Sequence, residues 1–298
     1  MSAIALSGGV LYVARGGRSL VVRCFDLAGR PLEAGFTWTP PQGGGVGVTA
    51  LAVDEDRRLW VADRRAARVR LFHVFGALTH ELLHPSDVHE DKAGHFARPQ
   101  ALFARGSSDD LELLVGSAGE RRHGVQVFGP RGELLRSLRP GGEPHGRFGG
   151  IAAVGAAGRF TLAAETRGPV HVWRDREFHF QFDPAARLGG QRVSGARAPV
   201  AAVRALAVRP DGSSILAFDG GSVGLGLFDG SGHLAHVLAR GAGSHAEGTT
   251  SVVEPVGVCL APPDGQGEER LAVLDRGGAR LLLLDLDGSG RGEAFALG

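Results

Sequence analysis

Short apolar runs alternate with polar turns from one end of the chain to the other. From Ala50 the sequence reads ALAVDEDRRLWVADRRAARVRLFHVFG. An apolar run meets a charged turn, a second run ends in Asp63, and a basic turn leads to a third run ending in Phe72. The order returns from Ala205 in ALAVRPDGSSILAFDGGSVGLGLFDGSGHLAHVLA, where Asp219 ends the second run and a fourth run follows. Stretches beginning at Ala3, Ala101, Gly150 and Gly257 keep the same plan with lower identity.

The runs are about five to eight residues long, the length of strands and too short for independent helices. Asp-Gly at Asp211, Asp229, Asp264 and Asp287 and Gly-Gly at Gly16, Gly220 and Gly277 suit antiparallel hairpins. Runs such as LWVA and LLLLDL are apolar on both faces, as expected of sheets packed on both sides. A four-run unit recurring every fifty residues or so lies in the range of β-propeller blades. The prediction is an all-β chain: a six-bladed β-propeller of four-stranded antiparallel blades, forming one domain over residues 1–298. The blades are placed near residues 3–38, 49–83, 99–139, 149–183, 203–240 and 255–297.

The pattern Ala-Val-Asp, Leu-Trp-Val-Ala-Asp, Arg-Val-x-Leu-Phe at Ala52–Phe72 resembles an NHL repeat. The lead-ins GHFARPQALF at Gly94 and GRFGGIAAV at Gly146 are similar to the Gly-x-Phe-x-x-Pro lead-in of that family. The third unit departs from the pattern with LLVGSAGE where the acidic residue belongs, and the first with YVARGG. The resemblance implies the propeller fold. It leaves activity open, because such propellers include scaffolds, RNA-binding modules and sensors, with lyases and lactonases among their relatives.

Composition narrows the choice of activity. The chain has 48 glycines, consistent with many tight turns, and a formal net charge of +1, which favours neither nucleic acid nor a membrane. There is no asparagine, and Lys92 is the sole lysine, as a GC-rich bacterial genome would give. A metal site built on Asn ligands, as in gluconolactonase-like propellers, is excluded. Cys24 and Cys259 lie in separate apolar runs and read as small hydrophobes rather than a disulfide framework. No run reaches the ~18 apolar residues of a membrane helix, and the N-terminus reads as strand rather than leader, so a cytoplasmic protein is expected.

Asp63, Asp219 and Asp275 end second strands, where a carboxylate accepts turn N–H groups, so they are read as structural. Trp60 and Trp173 are read as packing between blades. Assigning the turns between second and third strands, and the crossings between blades, to one rim gives a top of about +5 and a bottom of about −6. The candidate binding residues are on that top rim: Arg64, Arg65, Arg68, Arg121, Arg122, His123, Arg147 and Arg167. Arg187, Arg192 and Arg197 follow in the connector before the fifth blade. The crossings Pro85–Arg98, Asp183–Ala202 and Gly241–Glu254 are long, and hold His89, His95 and His245, with His84 just before the first. The run HPSDVHEDKAGH at His84 matches no known metal-ligand spacing. His73, His171, His179, His233 and His236 are assigned to outer strands or bottom turns.

The expectation is a non-enzymatic binding platform with no cofactor, no metal and no catalytic residues, whose partner is an acidic protein surface. Single-stranded RNA ranks below protein, since the top loops offer only Phe96 and Phe148 for stacking. The alternative is a metal-assisted hydrolase or lyase working in the central funnel through His123, His145 and His245.

Overall fold

In the computed structural model the described residues are 2–73, 75–83, 93–96, 98–142, 146–188, 202–241, 250–261, 269–286 and 292–296. Twenty-four strands form six four-stranded antiparallel sheets, each from strands consecutive in sequence. The first sheet holds β1 (Ser2–Ser7), β2 (Val10–Arg15), β3 (Leu20–Asp26) and β4 (Pro31–Trp38). The second holds β5 (Val48–Val53), β6 (Leu59–Asp63), β7 (Arg68–Phe72) and β8 (Leu78–Leu83). The third holds β9 (Pro99–Arg105), β10 (Glu112–Ser117), β11 (Val125–Phe128) and β12 (Leu134–Leu138). The fourth holds β13 (Ile151–Ala157), β14 (Phe160–Glu165), β15 (Val170–Arg174) and β16 (Glu177–Phe182), followed by the one-turn helix α1 (Pro184–Leu188). The fifth holds β17 (Ala202–Val208), β18 (Ser214–Asp219), β19 (Val223–Phe228) and β20 (Leu234–Arg240). The sixth holds β21 (Pro255–Ala261), β22 (Arg270–Asp275), β23 (Arg280–Asp285) and β24 (Gly292–Ala296). Among the described residues no sheet borrows a strand from the other end of the chain.

Two compact units are distinguished, Met1–Val154 and Gly155–Gly298. In the first, the core lies between sheets. Leu20, Val22 and Cys24 pack with Val53, Leu59, Val61 and Phe72, and Trp60 and Leu71 pack with Phe96, Leu113 and Phe128. In the second unit Ile215 and Leu225 pack with Val258, Leu271 and Leu284. The second strands β6 and β10 are buried along their whole length, which explains why they read as continuous apolar runs. Neighbouring first strands abut, β1 on β5 and β5 on β9 in one unit and β17 on β21 in the other. Thr49 Oγ1 fixes one such contact by donating to the Pro99 carbonyl at 2.7 Å.

The turns between third and fourth strands differ from the two-residue hairpins that Asp-Gly suggests. Asp229 N–H bonds His233 O at 2.9 Å, Gly232 N–H bonds Asp229 O at 2.9 Å, and Gly232 takes φ +76°. The same closure, with a left-handed glycine in fourth place, recurs at Asp26–Gly29, His73–Gly76 and Gly129–Gly132. This is a type I turn closed by a bulge, so the left-handed glycine sets the geometry, and at Asp26 and Asp229 the carboxylate also caps it.

Candidate functional site

The upper end of each sheet, where its second and third strands join, is organised by the last residue of the second strand. In the second sheet that residue is Asp63, fully buried. Its Oδ1 accepts the N–H groups of Gly47 at 2.9 Å, Arg65 at 3.0 Å and Ala66 at 3.2 Å, tying its own turn to the crossing from the first sheet. Its Oδ2 takes Nη1 of Arg70, a buried arginine on β7 whose Nε also donates to Glu81 at 2.6 Å. The Arg70 guanidinium stands 5.0 Å over the Trp38 ring. In the sixth sheet Asp275 accepts Val253 N–H at 3.2 Å, Glu254 N–H at 2.8 Å and Arg280 Nε at 3.1 Å. Asp219 accepts Arg204 Nε at 3.0 Å, and Glu165 lies 3.0 Å from Nε2 of buried His171. Asp63 and Asp275 are thus structural clamps on turn N–H groups, whereas Asp219 is engaged through the Arg204 side chain. His171 is a correction: it stands on a third strand inside the sheet, as the clamp's partner, and is not in an outer strand or bottom turn.

Strand register identifies the counterparts in the remaining sheets. Val61 opposes Arg70 in the second sheet, Val115 opposes Gln126 in the third, and Ala163 opposes His171 in the fourth. The third sheet therefore replaces aspartate and arginine with the neutral pair Ser117 and Gln126, both fully buried. Gln126 turns to the lead-in, accepting Gly94 N–H and donating to His95 O, each at 2.6 Å. In the first sheet the end of the second strand is exposed Arg15.

The basic residues predicted from sequence lie where expected within the first unit. Arg64 and Arg65 form the turn after β6, Arg64 half-buried and Arg65 exposed. Arg68 is half-exposed and engaged with Glu81 at 3.0 Å, so it contributes less to a free cationic surface than its position suggested. Arg121, Arg122 and His123 lie half-buried in the connector after β10. Arg121 forms a double backbone bridge with Phe148, N–H to O at 2.9 Å and the reverse at 2.7 Å, which brings exposed Arg147 beside that connector. Gly124 has no room for a Cβ, which would meet Phe148 at 2.8 Å. Among the described residues exposed Glu120 is the anion that Arg147 approaches, at 3.9 Å. Sequence reasoning missed three exposed arginines here. Arg15 and Arg18 flank the turn after β2, and Arg98, at φ +54°, accepts the Ala118 N–H through its carbonyl at 3.1 Å. Aligning the units on the last residue of the second strand would have found Arg15.

In the second unit Arg167 is exposed in the turn after β14. Arg187 is exposed on α1, while Arg192 and Arg197 lie outside the described residues. Three further upper-end arginines are internally paired: Arg204 with Asp219, Arg276 with Glu254, and Arg280 with Asp275 and the Ser251 carbonyl.

His84, His89, His145 and His245, with the turns at Asp264 and Asp287, lie outside the described residues. Among the described residues no group of three His, Cys, Asp or Glu side chains is placed to hold a metal ion. Cys24 and Cys259 are free thiols that burial raises to about 11 and about 12. At the lower end of the third sheet, burial opposes ionisation of Glu112. The guanidiniums of Arg136 at 2.6 Å and Arg105 at 2.8 Å overcome it and hold the carboxyl at about 2. No described helix is long and apolar enough to cross a membrane.

No protein family and no curated protein sequence matches the chain. Solved structures do. Virginiamycin B lyase from Staphylococcus aureus matches 99% of this chain and 83% of its own at 11% identity, with a TM-score of 0.59. The WD40 β-propeller domain of Doa1 matches 99% of this chain and 81% of its own at 15% identity and a TM-score of 0.58. A chain of the mitotic checkpoint complex matches over the whole of this chain and 77% of its own at 15% identity and a TM-score of 0.54. At these identities the likeness establishes the fold alone: the six four-stranded sheets are the blades of a six-bladed β-propeller.

Proposed function

We propose that this chain is a non-enzymatic, NHL-like binding propeller, and that the arginine-rich upper end of its first unit receives an acidic protein partner. One observation carries the reading: Arg15, Arg18, Arg65, Arg98 and Arg147 are exposed on that rim, where the carboxylates among the described residues are buried Asp63, Glu81 already held by Arg68 and Arg70, and Glu120. Arginine suits a carboxylate partner because its planar fork donates two parallel hydrogen bonds. Arg167 adds an exposed cation on the second unit.

Two further features support protein binding. None of the six first strands contains a carboxylate or an imidazole, so these strands offer no acid, base or hard-metal ligand for funnel chemistry. Phe96 and Phe148 are buried as lead-in packing, so neither of them is a stacking platform for bases.

The test is charge reversal. With Arg64, Arg65, Arg121 and Arg122 changed to Glu, retention on immobilised poly-glutamate at low salt is expected to be lost, together with the specific proteins captured from lysate. Retention and capture unchanged from wild type refute the reading.

A further inference from the structure

Four of the six sheets end their second strand in a carboxylate: Asp63, Glu165, Asp219 and Asp275. At Asp63 and Asp275 that carboxylate accepts backbone N–H groups and neutralises an arginine. The third sheet has Ser117 instead. Ser117 Oγ is buried and has no hydrogen-bond partner among the described residues, so the serine performs neither task. The second sheet's Arg70 is likewise replaced here, by Gln126, but other arginines of this rim remain. Arg121 Nε is buried and has no acceptor among the described residues. Arg98 is exposed, and Arg147 reaches Glu120 only at 3.9 Å, with both side chains more than half exposed.

These cations rise from fixed backbone. The double bridge to fully buried Phe148 anchors Arg121, and the 3.1 Å bond from Ala118 N–H anchors Arg98. The first sheet also lacks the carboxylate, but Arg15 is itself the substitute there, and its turn is held by one backbone bond, Val46 N–H to Gly17 O at 2.8 Å, where Arg121 has two. A cation on a pinned backbone loses less freedom on binding than one on an unpinned turn, which favours doubly bridged Arg121 as an anchor.

We infer that the upper end of the third sheet is a carboxylate-binding site, completed when an acidic side chain of the partner docks on Arg98 and Arg121 and supplies the counter-charge that Ser117 does not. Carboxylate is preferred to phosphate because carboxylates already serve this position in the other sheets. The inference rests on the partner being acidic and names the point at which it engages.

The probe is a hexaglutamate peptide, with an oligouridylate of similar charge as the second arm. Binding is read by fluorescence anisotropy at 50 mM and 150 mM salt. Wild type is expected to bind hexaglutamate, more weakly at the higher salt. Ser117→Asp restores an internal carboxylate and should lower that affinity about tenfold. Thermal melting reports whether this variant is folded. Arg121→Gln and Arg98→Gln, which bury no new charge, should each weaken binding several-fold in the same assay. If these variants bind as wild type while Arg64→Glu/Arg65→Glu does not, the partner sits on the second sheet: the inference falls and the acidic-partner reading stands. Binding of oligouridylate alone, or of neither probe, overturns both.

Discussion

The second and third sheets solve the same structural problem with opposite electrostatics. Each must fasten the turn after its second strand and fill a buried polar position on its third strand. The second sheet uses the ions Asp63 and Arg70, bonded to each other and continued to Glu81. The third uses Ser117 and Gln126, and Gln126 fastens the Gly94–His95 lead-in instead. Packing is preserved, since Leu113, Val115 and Phe128 join the same core cluster as Trp60 and Leu71. Charge is not preserved. The ionic sheet consumes its own carboxylates, whereas beside the neutral sheet Arg121 Nε has no acceptor among the described residues. On the proposed reading, a binding surface arises on a propeller when a neutral pair replaces one internal ion pair, with no new loop.

The comparison breaks most sharply at Asp63. Asp63→Ala leaves Arg70 buried without its inner counter-ion and strips the turn of its acceptor, at a cost of about 3–5 kcal/mol. Giving the second sheet the third sheet's pair, Asp63→Ser with Arg70→Gln, should recover a large part of that loss, because no buried charge is left alone. Urea unfolding of the single and double variants measures both. A double variant as unstable as Asp63→Ala would show that the two solutions are not interchangeable.

A smaller effect lies at the other end of the third sheet, which is ionic. Glu112 holds its proton only near pH 2, against an ordinary value of 4.5. Its folded value is depressed, so the stability it contributes is present above about pH 4.5 and is lost as the pH falls towards 2. Glu112→Gln should therefore cost about 1–3 kcal/mol at neutral pH. The gap from wild type should narrow steadily between pH 5 and pH 3, as urea midpoints at each pH would report. A gap that stays constant across that window would refute the pairing with Arg105 and Arg136.

The fold was legible because sheets buried on both faces write themselves as repeated apolar runs, and Ala50–Phe72 carried the pattern nearly intact. The structural role of Asp63 and Asp275 was also legible, since the residue recurs at one position in the repeat. Partnership was not. Arg70 sits in RVRLF two residues from Arg68, and nothing in that alternation tells which one turns inward to Asp63 and which stays near solvent. Register alone misleads, since it sets Asp63 opposite Arg68; the burial of Arg70 and its bond to Asp63 Oδ2 separate them. His171 was misassigned for the same reason: its partner Glu165 is defined by pairing across β14 and β15 and not by spacing. Arg98 depended on a crossing whose path the sequence does not encode. The departures at Ser117 and Arg15 were visible as broken repeats, yet their meaning needed the intact sheets for contrast.

The smallest expected effect falls on Ser117. If its hydroxyl did the work of the Asp63 carboxylate, Ser117→Ala would orphan backbone donors and cost more than 1 kcal/mol. The described structure gives that hydroxyl no partner. Its removal therefore relieves a buried polar atom of an unsatisfied hydrogen bond, and it leaves volume nearly unchanged. Ser117→Ala should lie within about 0.5 kcal/mol of wild type in urea unfolding, or slightly above it. A loss comparable to that of Asp63→Ala would mean that the serine is a working clamp, and the third sheet would then have no unmet demand for an anion.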